Sequence, residues 1–217
     1  MKRNIFILIL MILTLNVFAT AQYPDKIIYN GVEYALHTNP LEAFFEKNPD
    51  KRPQDEIMSS ALWRGYVATF EIIDNQLFLK DIEVQIADTS SKESYRTTWK
   101  SVIKEVFPDT DKVKVGWMTG LLVLPYGKLK NYVHMGYGST YSNYILLEIS
   151  EGNLTQERKF NGAKYEEFKE KQFRAFKKTE EYKKLVEDIK KIDGFDEETI
   201  DSFLRSFVLE YTSKILE

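Results

Sequence analysis

The sequence predicts an α+β fold: an antiparallel sheet of about seven strands with short helices, followed by a C-terminal helical hairpin. Three observations carry that expectation. About seven extended runs bounded by Gly, Pro and Asn fill residues 22–160, the pattern of an antiparallel sheet. From Gly162 onward the apolar period changes from two to 3.6, which marks amphipathic helices. There is no cysteine, so stability must come from an ordinary apolar core, and thiol catalysis and Cys-ligated metal are excluded.

The chain opens MKRNIFILILMILTLNVFATAQ: two basic residues, an apolar run over 5–18, and the small-x-small triplet Ala19-Thr20-Ala21. This is the plan of a secretory leader, with 1–21 as signal peptide and cleavage after Ala21. The apolar run, interrupted by Thr14 and Asn16, falls short of the roughly 20 residues a spanning helix needs. With no cysteine at the new N-terminus to carry a lipid, no stable membrane anchor is expected after cleavage. The mature chain, 22–217, is expected to be a single soluble domain, periplasmic or secreted, divided into a sheet part (22–160) and a helical hairpin (162–217). Without Lys2 and Arg3 the acidic residues outnumber the basic ones by five, which argues against nucleic acid as the partner.

KIIYNGVEYAL places Asn30-Gly31 between two β-rich segments, the signature of a type I′ hairpin. NPLEAFFEKNPDKRP predicts a short helix over about 41–47 closed by Pro49 and Pro53, with Leu41, Phe44 and Phe45 facing the sheet. LWRGYVATFEIIDNQLFLKDIEV reads as a second hairpin turning at Asp74-Asn75. A polar loop over 88–94 precedes WKSVIKEVF, read as an amphipathic helix over 99–107. VKVGWMTGLLVL and YSNYILLEI are extended, and the latter turns at Glu151-Gly152 into NLTQERKF. In the helical tail, an apolar stripe from Tyr165 to Ile192 and a second from Ile200 to Ile215 flank Asp193-Gly194, with Gly194 closing the first helix and Asp196 capping the second. Ten basic and seven acidic residues over 163–192 face two basic and six acidic residues over 196–217, so the two halves are electrostatically complementary.

Candidate chemistry is sparse. Of two histidines, His37 precedes Asn39-Pro40 and reads as a turn residue. His134 lies in YVHMGYGSTYSNY, where it is a candidate base for Ser139, with Gly136 and Gly138 freeing backbone amides for an oxyanion. No G-x-S-x-G elbow accompanies them, and a glycine-bearing turn is the favoured reading. No H-E-x-x-H, calcium loop or phosphate loop is present, so no metal or cofactor is expected.

Arg64, between Trp63 and the Gly65-Tyr66 pair, admits two readings. Counting back from a two-residue turn at Asp74-Asn75 sets Tyr66 opposite Glu83 and Ala68 opposite Asp81, and brings Arg64 within a diagonal of Glu83. Arg64 then pairs with Glu83 or Asp81 beneath Trp63 and Tyr66. Alternatively Trp63, Arg64 and Tyr66, joined by Tyr137, Tyr141 and Tyr144 from the other stretch, form a recognition surface of aromatic anchors around a planar cation.

The blocks LWRGYVATFEI, LFLKDI, GWMTGLLVLPYGKL and YVHMGYGSTYSNYILLEISEG resemble a group of uncharacterised bacterial proteins that repeat them, over roughly residues 36–155. That resemblance implies a bacterial α+β domain and no particular catalysis. A likeness in style to small toxin-neutralising proteins implies protein binding. The sequence therefore favours a binding or accessory module of the bacterial envelope, with an unknown protein or small-molecule ligand, over a hydrolase or an immunity-like protein.

Overall fold

The computed structural model describes residues 21–216 except 55, 56, 58, 89–95, 111, 135, 194 and 195. The expected leader up to residue 20, most of the polar loop after Asp88, and Gly194 lie outside the described residues. The fold is α+β, with nine strands and six short helices among the described residues: β1 (Asp25–Tyr29), β2 (Val32–Leu36), α1 (Glu42–Lys47), β3 (Val67–Ile73), β4 (Gln76–Ala87), β5 (Thr97–Ser101), α2 (Ile103–Val106), β6 (Val113–Lys114), β7 (Gly120–Asn131), β8 (Thr140–Ser150), β9 (Asn153–Asn161), α3 (Gly162–Phe176), α4 (Glu180–Asp193), α5 (Glu197–Ser206) and α6 (Val208–Tyr211).

The hairpin turns form where the sequence places them. Asn30 and Gly31 both take positive φ, as do Asp74 and Asn75, and Glu151 and Gly152, which is what a type I′ link between twisted strands requires. The sheet runs β2-β1-β3-β4-β9-β8-β7, with β5 and β6 also paired to β4. It is mixed, not purely antiparallel, because β1 pairs with β3 in parallel, Ile27 opposite Phe70. One further strand comes from a segment read otherwise, and one run read as continuous is divided. Thr97–Ser101 extends the sheet along β4 where a helix was expected to begin, leaving α2 a single turn, and Val113–Lys114 forms a separate short strand.

The two ends of the sheet meet. The chain leaving β2 bonds to β7, His37 N to Val123 O at 2.9 Å, while the Thr38 hydroxyl donates to Leu121 O and accepts from Val123 N. This curvature gives the sheet an inner and an outer face, and alternation along β7 serves both. Leu122 and Leu124 point inward to Ile27, Leu36, Phe70, Leu77 and Leu147, with Leu41 and Phe45 beside α1 completing the inner core. Leu121 and Val123 point outward, with Tyr144 and Leu146, against Tyr165, Phe168, Leu204 and Val208 of the helices.

The helical tail is more broken than one hairpin. The first stripe divides at 177–179, where the Thr179 hydroxyl donates to Phe176 O, closing α3, and accepts from Tyr182 N, opening α4. Asp196 caps α5 by accepting from Thr199 N, as expected. The complementary charges do meet: Lys177 reaches Asp201, Arg205 reaches Glu170, and Lys190 reaches Glu197.

Candidate functional site

A bulge in β4 redirects Arg64. The register follows the turn from Ile73 opposite Gln76 to Phe70 opposite Leu79, then slips so that Thr69 faces Asp81 and Val67 faces Glu83. Lys80 is the extra residue, and a bulge of this kind moves every later side chain by one position. Ile82 and Val84 therefore turn inward, while Glu83 faces outward to Lys26. Neither Glu83 nor Asp81 is the partner of Arg64.

The partner is Asp25, the first residue of β1. Asp25, Ile27 and Tyr29 share the inward face of that strand, so its carboxylate enters the core with 0% exposure, and Arg64 at 4% meets it there. Arg64 Nη2 donates to Asp25 Oδ1 at 3.1 Å and to Tyr23 O at 3.0 Å, and Asp25 Oδ1 also accepts from Ala68 N. Nη1 donates to the Tyr137 hydroxyl at 2.6 Å, which donates in turn to Asn39 Oδ1. The two stretches singled out in the sequence are thus joined by one hydrogen bond. Asp25 Oδ2 and Arg64 Nε, both buried, have no hydrogen-bond partner among the described residues. Desolvation outweighs the neighbouring guanidinium and pushes the Asp25 carboxyl up to about 7, as burial of a charge dictates.

A second ion pair backs this one. Arg52 makes a bidentate contact with Glu42, which also accepts from the buried Tyr66 hydroxyl at 2.7 Å. Arg52 and its hydrogen bonds hold the Glu42 carboxyl below its ordinary value against the opposing cost of desolvation, the larger single effect. Tyr66 is therefore interior, whereas Trp63, at the end of a 3-10 turn, is 62% exposed. Gly65, with φ of 82°, turns the chain between them.

On its far side Tyr137 helps form a cleft of about 500 Å³. Its floor is His37, Thr38 and Val123, one wall is the 136–140 loop, and the facing wall carries Tyr165, Glu166, Lys169 and Glu170 from α3 with Arg205, Phe207, Leu209 and Glu210 from the α5–α6 region. His37 stacks on Tyr137 with ring centres 4.7 Å apart. Burial lowers the His37 imidazole to about 4, so it is neutral at pH 7. Burial likewise pushes the Tyr137 phenol up to about 12, with Arg64 opposing. Tyr144 stacks on Tyr165 at 3.8 Å and its hydroxyl accepts from Tyr141 N. Tyr141 sits edge-on to His37 and lines a neighbouring hollow with Lys130 and Ala163.

His134 is exposed at the tip of its loop against Tyr132. Ser139 Oγ accepts from Val133 N at 3.0 Å and donates to Val133 O, so its geometry is that of a loop clasp. Among the described residues no group of three metal-ligating side chains comes together. No helix among them is long and apolar enough to cross a membrane.

Sequence reasoning missed Asp25, His37, Asn39 and the helical wall. For Asp25 the signal was present: an acid in phase with Ile27 and Tyr29 on an apolar strand face needs a buried partner. For Glu210 and Arg205 no local signal exists, because nothing in a helix pattern says which loop it will face. No protein-family model, curated protein or solved structure matches the chain.

Proposed function

We propose that this protein is an exported binding module of the bacterial envelope that takes its ligand in the cleft behind Tyr137. One observation carries the reading: the tyrosine-bearing loop is fastened from beneath by the buried Arg64 and Asn39 and in that position walls a cleft of about 500 Å³. A wall held by hydrogen bonds to a buried arginine and to Asn39 is preorganised, so little ordering has to be offset when a ligand enters. A few polar groups set among aromatic and apolar surface is the usual composition of a ligand site. The leader pattern and the resemblance of the sequence blocks to a bacterial group support the envelope setting.

A hydrolase using His134 and Ser139 is less well supported, since the Ser139 hydroxyl is engaged with the Val133 backbone. An immunity-like role would use the same surfaces on a protein partner. The test has two arms. A fragment screen by amide NMR should give shifts that cluster at 136–140 and 205–210, and Leu209→Trp, which fills the cleft, should abolish them. A broad panel of ester, amide, glycoside and phosphate substrates should show no turnover that His134→Ala removes at unchanged melting temperature. Turnover lost on that substitution, or shifts clustering elsewhere, contradicts the reading. Export is checked separately, by N-terminal sequencing that should begin at Gln22.

A further inference from the structure

The cleft carries a charge imbalance. Its lining includes three carboxylates, Glu166, Glu170 and Glu210, against two cations, Lys169 and Arg205. Both cations are already matched: Lys169 Nζ lies 2.8 Å from Glu166, and Arg205 lies 3.0 Å from Glu170 and 3.8 Å from Asp201. Among the described residues the Glu210 carboxylate has neither an ion pair nor a hydrogen bond, while its backbone N–H donates to Phe207 O. Its partial burial raises its carboxyl above the ordinary range. Its charge reaches the Tyr137 and Tyr165 phenols and opposes their ionisation.

The surfaces around Glu210 suit a cation. The Tyr137 ring, with His37 stacked on it, lines the cleft beside Glu210, and aromatic faces attract positive charge through their quadrupole. An incoming anion would meet Glu210 unshielded and would have to break an existing ion pair to find a donor. We propose that the cleft binds an organic cation, an amine or guanidinium-like group on an apolar or aromatic body, with Glu210 as its counter-charge and the Tyr137–His37 stack and Tyr165 as its aromatic surroundings. This deepens the binding-module reading and rests on it.

Benzamidine, its neutral counterpart benzamide, and benzoate make a matched set of probes, followed by the amide shifts of residues 136–140 and 205–210. Benzamidine is expected to bind about tenfold or more tightly than benzamide, the worth of one charge-assisted hydrogen bond. Glu210→Gln should remove that difference, and Glu210→Lys should reverse the preference toward benzoate. Benzamidine binding should also weaken as pH falls and Glu210 protonates. Equal affinities for all three, or a preference for benzoate in the unmodified protein, overturns the cation assignment and leaves the cleft as a binding site. No cleft shifts with any probe at millimolar concentration overturns both.

Discussion

Arg64 and Arg205 stand on opposite sides of the same cleft and do different work. Arg64 is sealed beneath Tyr137, its Nη atoms given to Asp25, Tyr23 and Tyr137. Arg205 is solvent-reached and shares a wall with Glu170, Phe207 and Glu210. A buried guanidinium is scaffold because a charge without water must have partners to be tolerated at all. The exposed one is exchangeable, because water replaces any partner it loses. The floor behind Tyr137 therefore fixes shape, and the helical wall is free to be selected for what it meets.

The largest effect that sharpens this contrast is expected for Arg64→Ala at pH 8. It leaves Asp25 with no cation to offset its burial, so its carboxyl must take up a proton or stay charged and unpaired, a loss that typically costs up to about 3–5 kcal/mol, whereas Arg205→Ala should cost roughly 1 kcal/mol or less. Urea denaturation of the two variants reads the difference directly. Tyr137→Phe comes next. It removes the acceptor of Arg64 Nη1 and the donor to Asn39, and unsatisfied groups of this kind cost about 1–3 kcal/mol. The same variant should loosen the 136–140 loop, seen as faster amide exchange there.

pH separates two buried groups that pull in opposite directions. Asp25 has its carboxyl raised in the fold from 3.8 to about 7, so the folded state binds the extra proton and stability falls as pH rises through that window. His37 is lowered from 6.5 to about 4, so its contribution is complete above 6.5 and is lost as pH falls toward 4. Compared with the unmodified protein, melting temperatures between pH 4 and 7 should therefore lose a component that falls with pH in Asp25→Asn, and lose a component that rises with pH in His37→Phe. Parallel profiles in the two variants would mean that these groups do not titrate as their burial requires. The smallest effects belong to the outside: Glu210→Gln and Trp63→Ala should each change stability by about 0.5 kcal/mol or less, as exposed substitutions do.

What the sequence disclosed depended on whether the signal was local. Asn30-Gly31, Asp74-Asn75 and Glu151-Gly152 were legible because positive φ is a property of the residues themselves. The switch at Gly162 was legible because the helical period is written along the chain. The parallel β1–β3 pairing was not, since alternation is the same whichever way a neighbouring strand runs. The strand end Trp99–Ser101 is not separable from the helix expected over 99–107, because a short partly apolar run fits either period. The partner of Arg64 was missed for a related reason. A register counted from the turn holds only until a bulge, and the extra Lys80 in β4 carries no residue-level mark of one. Of the candidate site, the Tyr137 loop was visible as an unusual cluster of tyrosines, while Arg205 and Glu210 became part of it only through the packing of α5 and α6 on β7.

The Arg64–Asp25 pair is one buried unit that holds Tyr137, and through it a wall of the cleft, in place. A double-mutant cycle tests it most directly, using urea denaturation at pH 8 of Arg64→Ala, Asp25→Ala and the double variant. Removing both partners strands no charge, so the double variant should be no less stable than the worse single variant, with a coupling of about 1–3 kcal/mol between the sites. Small losses that simply add would contradict the claim and return Arg64 to the surface of the molecule.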